Sequence, residues 1–174
     1  MSETIRVLIE EEKLNKRIAE LGAQISRDYA GQEVTLICIL KGSVFFTCEL
    51  AKRITVSVAL DFMSVSSYGS STVSSGKIEV KKDLDESIEN KNIIIIEDII
   101  DTGRTLKYLL EDLRKRNPKS LKLCTMLDKP DRRVAEVEVD YTCFKVPDEF
   151  VVGCGLDYDQ KYRNLPYIGI LDLG

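Results

Sequence analysis

The chain of 174 residues contains no histidine. This absence excludes Ser–His–Asp and Cys–His nucleophile pairs, HExxH zinc sites and imidazole general bases. Any acid–base chemistry must therefore use Asp, Glu, Lys or Tyr side chains, or groups of the substrate itself. The most informative places in the chain are those where acidic and basic side chains meet.

An excess of positive charge and a long apolar run are missing as well. The net charge is −4, so a broad nucleic-acid-binding surface is not expected. No apolar run approaches the ~20 residues that a membrane-spanning helix needs, and the N-terminal residues lack the apolar centre of a signal peptide. We therefore predict that neither nucleic acid nor membrane is among the partners of this chain.

The cysteines do not form the pattern of a disulfide framework or of a metal site. Their number is odd, no two are spaced as CxxC, and most lie inside apolar stretches. We interpret them as buried, reduced thiols of a cytoplasmic protein, with disulfides or a metal site as the less favoured alternatives. The five are Cys38, Cys48, Cys124, Cys143 and Cys154.

The hydrophobic pattern predicts an alternation of strands and helices. Helical spacing of Leu14, Ile18, Leu21 and Ile25 predicts a first helix over about residues 10–29. Further helices are expected over residues 44–53 and after residue 105. This order predicts an α/β fold with a mainly parallel sheet flanked by helices, which binds ligands beyond the carboxyl ends of its strands. Apolar runs predict the strands at about residues 34–40, 56–65, 78–80, 91–97, 121–127, 137–144, 150–152 and 167–171.

The chain has no linker and no internal repeat, so residues 1–174 are interpreted as a single domain. We predict a core over about residues 30–140, with the residues that follow packed beside the sheet. Residues 66–76, SSYGSSTVSSG, contain too little apolar surface to order themselves and predict a mobile loop. Taken alone, a Ser/Gly segment of this kind is usually only a flexible connection.

Three carboxylates follow an apolar run in the stretch IIIIEDIIDTGRTL, residues 93–106. Adjacent acids at the end of a buried strand repel each other and resist desolvation. Glu97 and Asp98 therefore need hydroxyl donors, a cation or Mg²⁺ as partners. The alternative is a solvated acidic loop.

A turn of small and polar residues, 102–105, separates these acids from an amphipathic helix. Unpaired N–H groups at the start of a helix bind anions, and Gly103 permits a close approach. The turn therefore predicts a phosphate cradle. A plain helix start, capped by Asp101 or Thr102, is the alternative.

The stretch IIIIEDIIDTGRTL resembles the phosphoribosyl-pyrophosphate binding motif of the type I phosphoribosyltransferases. With Asp at position 101, the motif resembles that of the 6-oxopurine enzymes, the hypoxanthine-guanine phosphoribosyltransferases. Relatives that act on adenine or orotate usually carry Ala or Thr at this position. The resemblance runs from about Glu10 to the C-terminus. It implies the type I phosphoribosyltransferase fold, with a small hood from the N-terminal segment and residues 140–174, and a mobile lid over residues 66–76. The segments that agree further are Leu40–Ser43, Leu127–Pro130, Phe150–Gly153 and Leu156–Tyr158.

The resemblance implies Mg²⁺ as cofactor and phosphoribosyl pyrophosphate as donor. Glu97 and Asp98 would hold the ribose hydroxyls, directly or through Mg²⁺, and Asp157 would lie at a second Mg²⁺. In the family the peptide between Leu40 and Lys41 can be cis. The other implied substrate contacts are Lys41, Gly42 and Arg163 for pyrophosphate, Asp101, Thr102, Gly103, Arg104 and Thr105 around the 5-phosphate, Ile99 and Ile100 of the same motif, and Ser67 and Tyr68 of the lid.

The resemblance also implies a site for the purine base. Asp101 would act as general base, and Lys129 would donate to the 6-oxo group and discriminate against adenine. Phe150 would stack on the purine, the Val151 backbone would meet its edge, and Arg133 would support Asp101 and Lys129. Without the resemblance, Lys129 reads as a surface lysine and Phe150 as a core residue.

These implied roles predict an enzyme of purine salvage. It would transfer 5-phosphoribose to hypoxanthine or guanine, giving IMP or GMP and pyrophosphate, as a cytoplasmic homodimer or homotetramer. The alternative is a regulatory protein on the same fold that senses phosphoribosyl pyrophosphate or nucleotides and contacts RNA. Lys129, Phe150, Asp157 and the acidic balance of the chain weigh against that alternative.

Overall fold

A computed structural model describes residues 3–67 and 77–174 of the chain. Its helices are α1 (Glu11–Asp28), α2 (Val44–Ala51) and α3 (Arg104–Arg114), with a short 3-10 helix at Pro130–Arg132. Its strands are β1 (Thr4–Ile9), β2 (Glu33–Ile39), β3 (Ser57–Ser67), β4 (Ile78–Lys82), β5 (Asn92–Ile100), β6 (Ser120–Asp128), β7 (Tyr141–Lys145), β8 (Val151–Val152) and β9 (Ile168–Asp172).

The main sheet has the strand order β4-β3-β2-β5-β6-β7. Strands β3, β2, β5, β6 and β7 are parallel, and β4 pairs antiparallel with β3 at one edge. In the centre, residues 93–96 of β5 are four buried isoleucines, as a strand covered on both faces requires. The carboxyl ends of β2, β5 and β6 therefore lie side by side at one edge of the sheet.

Helices cover both faces of this sheet. On one face α1 packs in a cluster with α2 and with Leu36 and Ile94 of the strands. On the other face α3 packs against Ile93 and Ile95. The helical spacing read from the sequence is confirmed, because the buried residues of α1 are Leu14, Ile18, Leu21, Gly22 and Ile25, and those of α3 are Leu106, Leu109, Leu110 and Leu113.

A second, antiparallel sheet of order β1-β9-β8 forms the hood. Val151 of β8 and Ile168 of β9 belong to the same buried cluster as α1 and α2. The N-terminal segment contributes one strand and the last third of the chain the other two. The hood thus packs on the face of the main sheet that carries α1 and α2.

The sequence placed three boundaries wrongly. Strand β5 continues to Ile100, past the predicted end at residue 97, so Asp98 lies within the strand and not beyond it. The strand predicted over residues 137–144 is confined to Tyr141–Lys145, and because β7 pairs with β6 the main sheet extends past the predicted core boundary near residue 140. Strand β1 was not predicted at all.

Most of the predicted lid, residues 66–76, lies outside the described residues. Its first two residues, Ser66 and Ser67, end β3.

The helices of the described residues include none that is long and apolar enough to cross a membrane. The longest of them, α1, has a charged face and a buried apolar stripe, which is the pattern of a helix packed on a globular core.

Candidate active site

Three loops meet where the parallel strands end. Residues 40–43 follow β2, residues 101–103 follow β5, and Lys129 follows β6. The backbone joins two of them, because the N–H of Lys129 donates to the carbonyl of Ile100 at 3.0 Å. Ligands bind at such edges in parallel α/β sheets, and the loops here carry six of the predicted site residues, namely Lys41, Gly42, Asp101, Thr102, Gly103 and Lys129.

Glu97 and Asp98 stand next to each other near the end of β5, and successive strand residues point to opposite faces. Glu97 lines a cavity of about 170 Å³ beside the turn. Asp98 faces the loop after β2, where a Cβ on Gly42 would lie only 1.7 Å from Asp98 Oδ2. Gly42 is therefore required for the loop to approach this carboxylate.

Burial governs the electrostatics of this pair. It raises the pKa of Glu97 well above its ordinary value, and the neighbouring Asp98 adds to the shift. Burial also raises the pKa of Asp98 to about 6, against the lowering by the Ile99 N–H and by Arg163, while Asp157 raises it further. Two partly buried carboxyls with raised pKa values favour a ligand that brings hydroxyl donors or positive charge.

The turn before α3 has the geometry of an anion cradle. The residue at the cap position is Gly103, with φ of 82°, a left-handed conformation that favours glycine. The cap position is occupied by Gly103 and not by Asp101 or Thr102. Thr102 Oγ1 still accepts from the Arg104 N–H at 3.5 Å, whereas Gly103 has no side chain that could accept from the N–H groups that follow. A helix start of this kind can bind an anion.

Hydrogen bonds fix this turn to the segment after β6. The carbonyl of Thr102 accepts from the N–H groups of Val134 and Ala135 at 3.0 and 3.1 Å. On the other side, Ser67 Oγ lies 3.1 Å from Thr105 Oγ1 and connects the end of β3 to the turn. Ser67, predicted as a lid residue, thus lies beside the turn that was predicted to bind phosphate, whereas Tyr68 lies outside the described residues.

The residues predicted to contact a purine base line a cavity of about 470 Å³. Every predicted base contact lines it, and Asp101 and Ile99 also line the cavity at the phosphate turn. Its described lining is Ile99, Asp101, Lys129, Arg132, Asp148, Glu149, Phe150, Val151, Leu156 and Asp157. A cavity of similar volume, about 450 Å³, lies at the opposite edge of the sheet, and the described residues that line it include none of the predicted ones.

Phe150 is not a core residue. Half of its side chain is exposed, and the edge of Tyr158 packs against it with ring centres 5.7 Å apart and an interplanar angle of 88°. Lys129 is not an ordinary surface lysine either, because only 12% of its side chain is exposed, with Nζ 3.9 Å from Asp148. An aromatic face and a sheltered ammonium therefore border the same cavity.

Arg132 ends the 3-10 helix and Arg133 follows it. Together they make the contacts to Asp101 that the resemblance assigned to Arg133 alone. Arg133 donates from Nε to the backbone carbonyl of Asp101 at 3.3 Å and pairs with Asp128. The carboxylate of Asp101 is held by Arg132, whose Nε lies 2.9 Å from Oδ1. Sequence reasoning missed Arg132 and Asp148. The adjacent arginines in DKPDRR were the available signal, and they do not reveal which one reaches the acid.

The loop after β2 meets the hood. The peptide between Leu40 and Lys41 is cis, as the resemblance implied. A Cβ on Gly155 would lie 1.9 Å from the carbonyl oxygen of Gly42. Arg163 donates to the carbonyl of Gly155 at 2.6 Å and pairs with Asp157 at 3.2 Å. The predicted pyrophosphate contacts are thus gathered at this junction.

The remaining predicted residues contribute in different ways. Ile100 is buried in the cluster under α3, so only its backbone is available to a ligand. Arg104 begins α3. Within residues 3–67 and 77–174, no three His, Cys, Asp or Glu side chains converge closely enough to hold a metal ion by themselves. Glu97, Asp98 and Asp157 therefore form no complete protein cage for a metal.

Comparison with known proteins gives a consistent result. A family model described as phosphoribosyl transferase domain matches residues 8–159. The hypoxanthine-guanine phosphoribosyltransferase of Streptococcus thermophilus is 52% identical over 166 residues, 95% of this chain and 92% of that one.

Solved structures agree with the sequence relatives. A hypoxanthine phosphoribosyltransferase from Staphylococcus aureus superposes with a TM-score of 0.93 at 51% identity, over 96% of this chain and 91% of that one. A hypoxanthine-guanine phosphoribosyltransferase from Bacillus anthracis gives 0.93 at 46% identity, over 96% and 99%. With its fold and its strand-end site, the chain belongs to the phosphoribosyltransferase family and, within it, to the hypoxanthine-guanine phosphoribosyltransferases.

Proposed function

We propose that the protein transfers 5-phosphoribose from phosphoribosyl pyrophosphate to hypoxanthine or guanine, giving IMP or GMP and pyrophosphate. The observation that carries the proposal is the position of Asp101, which lines both the 470 Å³ cavity and the 170 Å³ cavity at the phosphate turn. A base in the first cavity and a phosphoribosyl group in the second would meet at this carboxylate. The reaction makes nucleotides from free bases and so serves purine salvage.

The donor would occupy the strand-end loops. Its 5-phosphate would accept hydrogen bonds from the N–H groups of residues 102–105 and from the two threonine hydroxyls of that turn. The ribose diol would donate to Glu97 and Asp98, whose pKa values are raised by burial. Pyrophosphate would lie against the N–H groups of the Lys41–Gly42 loop and near Arg163.

The acidic residues fit a magnesium ion that is shared with the substrate. Mg²⁺ prefers oxygen ligands and is usually bound through one or two carboxylates plus substrate phosphates. Glu97 and Asp98 would hold it at the ribose, and Asp157 would hold a second ion beside pyrophosphate. When bound, the metal would neutralise charge on the departing pyrophosphate.

The base would be held by its face and its edge. Phe150 would stack on the purine, the Val151 backbone would meet its edge, and the Lys129 ammonium would donate to the 6-oxo group. Adenine carries an amino group at that position, so its N–H donors would face the N–H donors of Lys129.

The transfer step forms one bond at the ribose and breaks another. The purine nitrogen bonds to C1 of the ribose while the bond from C1 to pyrophosphate breaks, and Asp101 accepts the proton of the purine ring.

Location and assembly complete the proposal. The described residues include all five cysteines, and all are free. Four of them are buried, as predicted, but Cys48 on α2 is exposed, so the interpretation as a buried thiol is wrong for that residue. Burial raises the pKa of Cys124, Cys143 and Cys154. Free and mostly buried thiols support a cytoplasmic enzyme. We propose a homodimer or homotetramer that needs neither nucleic acid nor membrane.

The test is nucleotide formation from phosphoribosyl pyrophosphate and Mg²⁺ with each of hypoxanthine, guanine, xanthine and adenine. We expect IMP and GMP from the first two bases and little product from adenine. Omission of Mg²⁺ should abolish turnover. If neither hypoxanthine nor guanine yields a nucleotide, the proposal is wrong.

A further inference from the structure

A line of alternating charges follows one wall of the base cavity. Asp101 Oδ1 accepts from Arg132 Nε at 2.9 Å, and Arg132 Nη1 lies 3.7 Å from Asp148 Oδ2. The other oxygen of Asp148 lies 3.9 Å from Lys129 Nζ. The line therefore begins at the group assigned to accept the proton and ends at the group assigned to recognise the 6-oxo position.

Asp101 requires a fixed orientation, and its own position does not provide one. Its side chain is 49% exposed, and a half-exposed carboxylate outside regular structure keeps rotamer freedom unless a partner holds it. The backbone is tied by Arg133, which contacts the carbonyl and not the carboxylate. The contact from Arg132 Nε occupies one carboxylate oxygen, so it limits where the second oxygen can lie.

Arg132 needs an anchor of its own because 47% of its side chain is exposed. Asp148 supplies it from the segment before β8, which lines the same cavity. The planar guanidinium engages the two acids through different nitrogens, as its fork of donors allows.

We propose that Arg132 is a positioning residue, held by Asp148, that orients the Asp101 carboxylate toward the purine and so sets the rate of the transfer step. This inference rests on the proposed function. It assigns to Arg132 no contact with donor or base, and it predicts an effect on the chemical step without an effect on donor binding.

If Arg132 acted only in the fold, its replacement would lower the stability of the protein. Exposed ion pairs contribute little to stability, so we expect the replacement to leave the unfolding midpoint unchanged. Arg116 offers a matched control, because it pairs with Asp83 at 2.7 Å and Asp112 at 3.0 Å on a surface away from the cavity.

The experiment compares Arg132→Gln, Arg132→Lys and the control Arg116→Gln by single-turnover nucleotide formation, which separates chemistry from product release. We expect Arg132→Gln to slow the step by about 10- to 100-fold, with the KM for phosphoribosyl pyrophosphate within about twofold and an unchanged unfolding midpoint. Arg132→Lys should recover part of the rate because it keeps the charge but not the fork. Arg116→Gln should match the wild type.

A double-variant cycle makes the test specific to Asp101. In an Asp101→Ala background, Arg132→Gln should cause no further loss of rate, because Arg132 would act only through that carboxylate. The inference is overturned by a wild-type rate in Arg132→Gln, by a loss that persists in the Asp101→Ala background, or by a loss matched in donor affinity or unfolding midpoint. Absence of nucleotide from the wild-type protein would instead refute the proposed function.

Discussion

Asp98 carries its charge at an unfavourable position in the free protein. Burial raises its pKa from an ordinary value of 3.8 to about 6, and Glu97 beside it is raised as well. A carboxyl whose folded pKa is raised contributes stability that is fully present below its unfolded pKa and is lost as pH rises through the folded pKa. Above about pH 6, the charged Asp98 therefore lowers the free energy of unfolding of the free protein.

We expect Asp98→Asn to stabilise the free protein at pH 8 by roughly 1 to 3 kcal/mol, because the amide removes the buried charge. The gain should shrink as pH falls from 6 toward 4 and the wild-type carboxyl becomes protonated. Urea unfolding across this range measures it. Affinity for the magnesium complex of the donor should fall in the same variant. A destabilised variant at pH 8 would contradict the pKa direction.

Lys129 is expected to govern the choice of base. In Lys129→Gln the amide both donates and accepts, so the penalty against the amino group of adenine should fall, whereas the charge-assisted bond to a 6-oxo group is lost. We expect the ratio of kcat/KM for hypoxanthine over adenine to fall by at least about tenfold. Competition assays with both bases measure the ratio, and an unchanged ratio would remove Lys129 from base recognition.

At this scale the sequence identified most of the site. Asp101, Lys129, Phe150, Val151 and Asp157 all line one cavity, although they come from three separate segments. The sequence did not identify Arg132, because its contact with Asp101 depends on the direction in which the short 3-10 helix turns. Local pattern does not encode that direction.

Among the elements, the turn between β5 and α3 has the strictest backbone requirement. Gly103 adopts a left-handed conformation, and a Cβ there would lie 2.9 Å from Arg133 Cδ and 3.2 Å from Val137 Cγ2. In the proposed function, the same glycine would let the donor 5-phosphate approach the start of α3. Conformation, packing and ligand access thus converge on one position.

Gly103→Ala should therefore lower the free energy of unfolding by about 1–2 kcal/mol and raise the KM for the donor. Gly31→Ala is the matched control, since Gly31 has a φ of 74° with no atom within 4 Å of a new Cβ. The control should show the conformational cost alone and wild-type kinetics. Equal donor KM values in the two variants would argue against a phosphate cradle at Gly103.

Elements were predicted well where the pattern was local and poorly where it was not. The buried stripes of α1 and α3 were evident from the sequence. Strand β1 was missed because only Ile9 in it is buried and its partner β9 lies at the other end of the chain. Residues 137–140 alternate Val with acidic residues like a strand, yet Val137 and Val139 pack on the cluster under α3 as irregular chain.

In the whole molecule, the hood and the main sheet share one hydrophobic cluster. Ile168 of β9 is buried in it beside Ile94 of β5 and Ile18 of α1. A shared core of this kind leaves no apolar boundary at which the hood would separate. We therefore expect the described parts of the chain to unfold together.

Ile168→Ala tests this coupling. Removing a fully buried isoleucine should cost about 2–5 kcal/mol, and the loss should appear in a single unfolding transition. Val7→Ala, at a position of β1 that is 40% exposed, should change stability by less than about 0.5 kcal/mol. Thermal unfolding followed by tyrosine absorbance and by far-ultraviolet circular dichroism would reveal a separate hood transition if the coupling were absent.

The approach of Gly155 to the carbonyl of Gly42 has a consequence for the history of this chain. The two glycines lie far apart in sequence, yet Gly155 has no room for a side chain while the carbonyl of Gly42 keeps its place, and Gly42 has none while Asp98 keeps its own. The loop after β2 therefore excludes larger residues at position 155 of the hood, and β5 excludes them at position 42 of that loop. A larger residue accepted at position 155 should be found with a compensating change in the loop after β2.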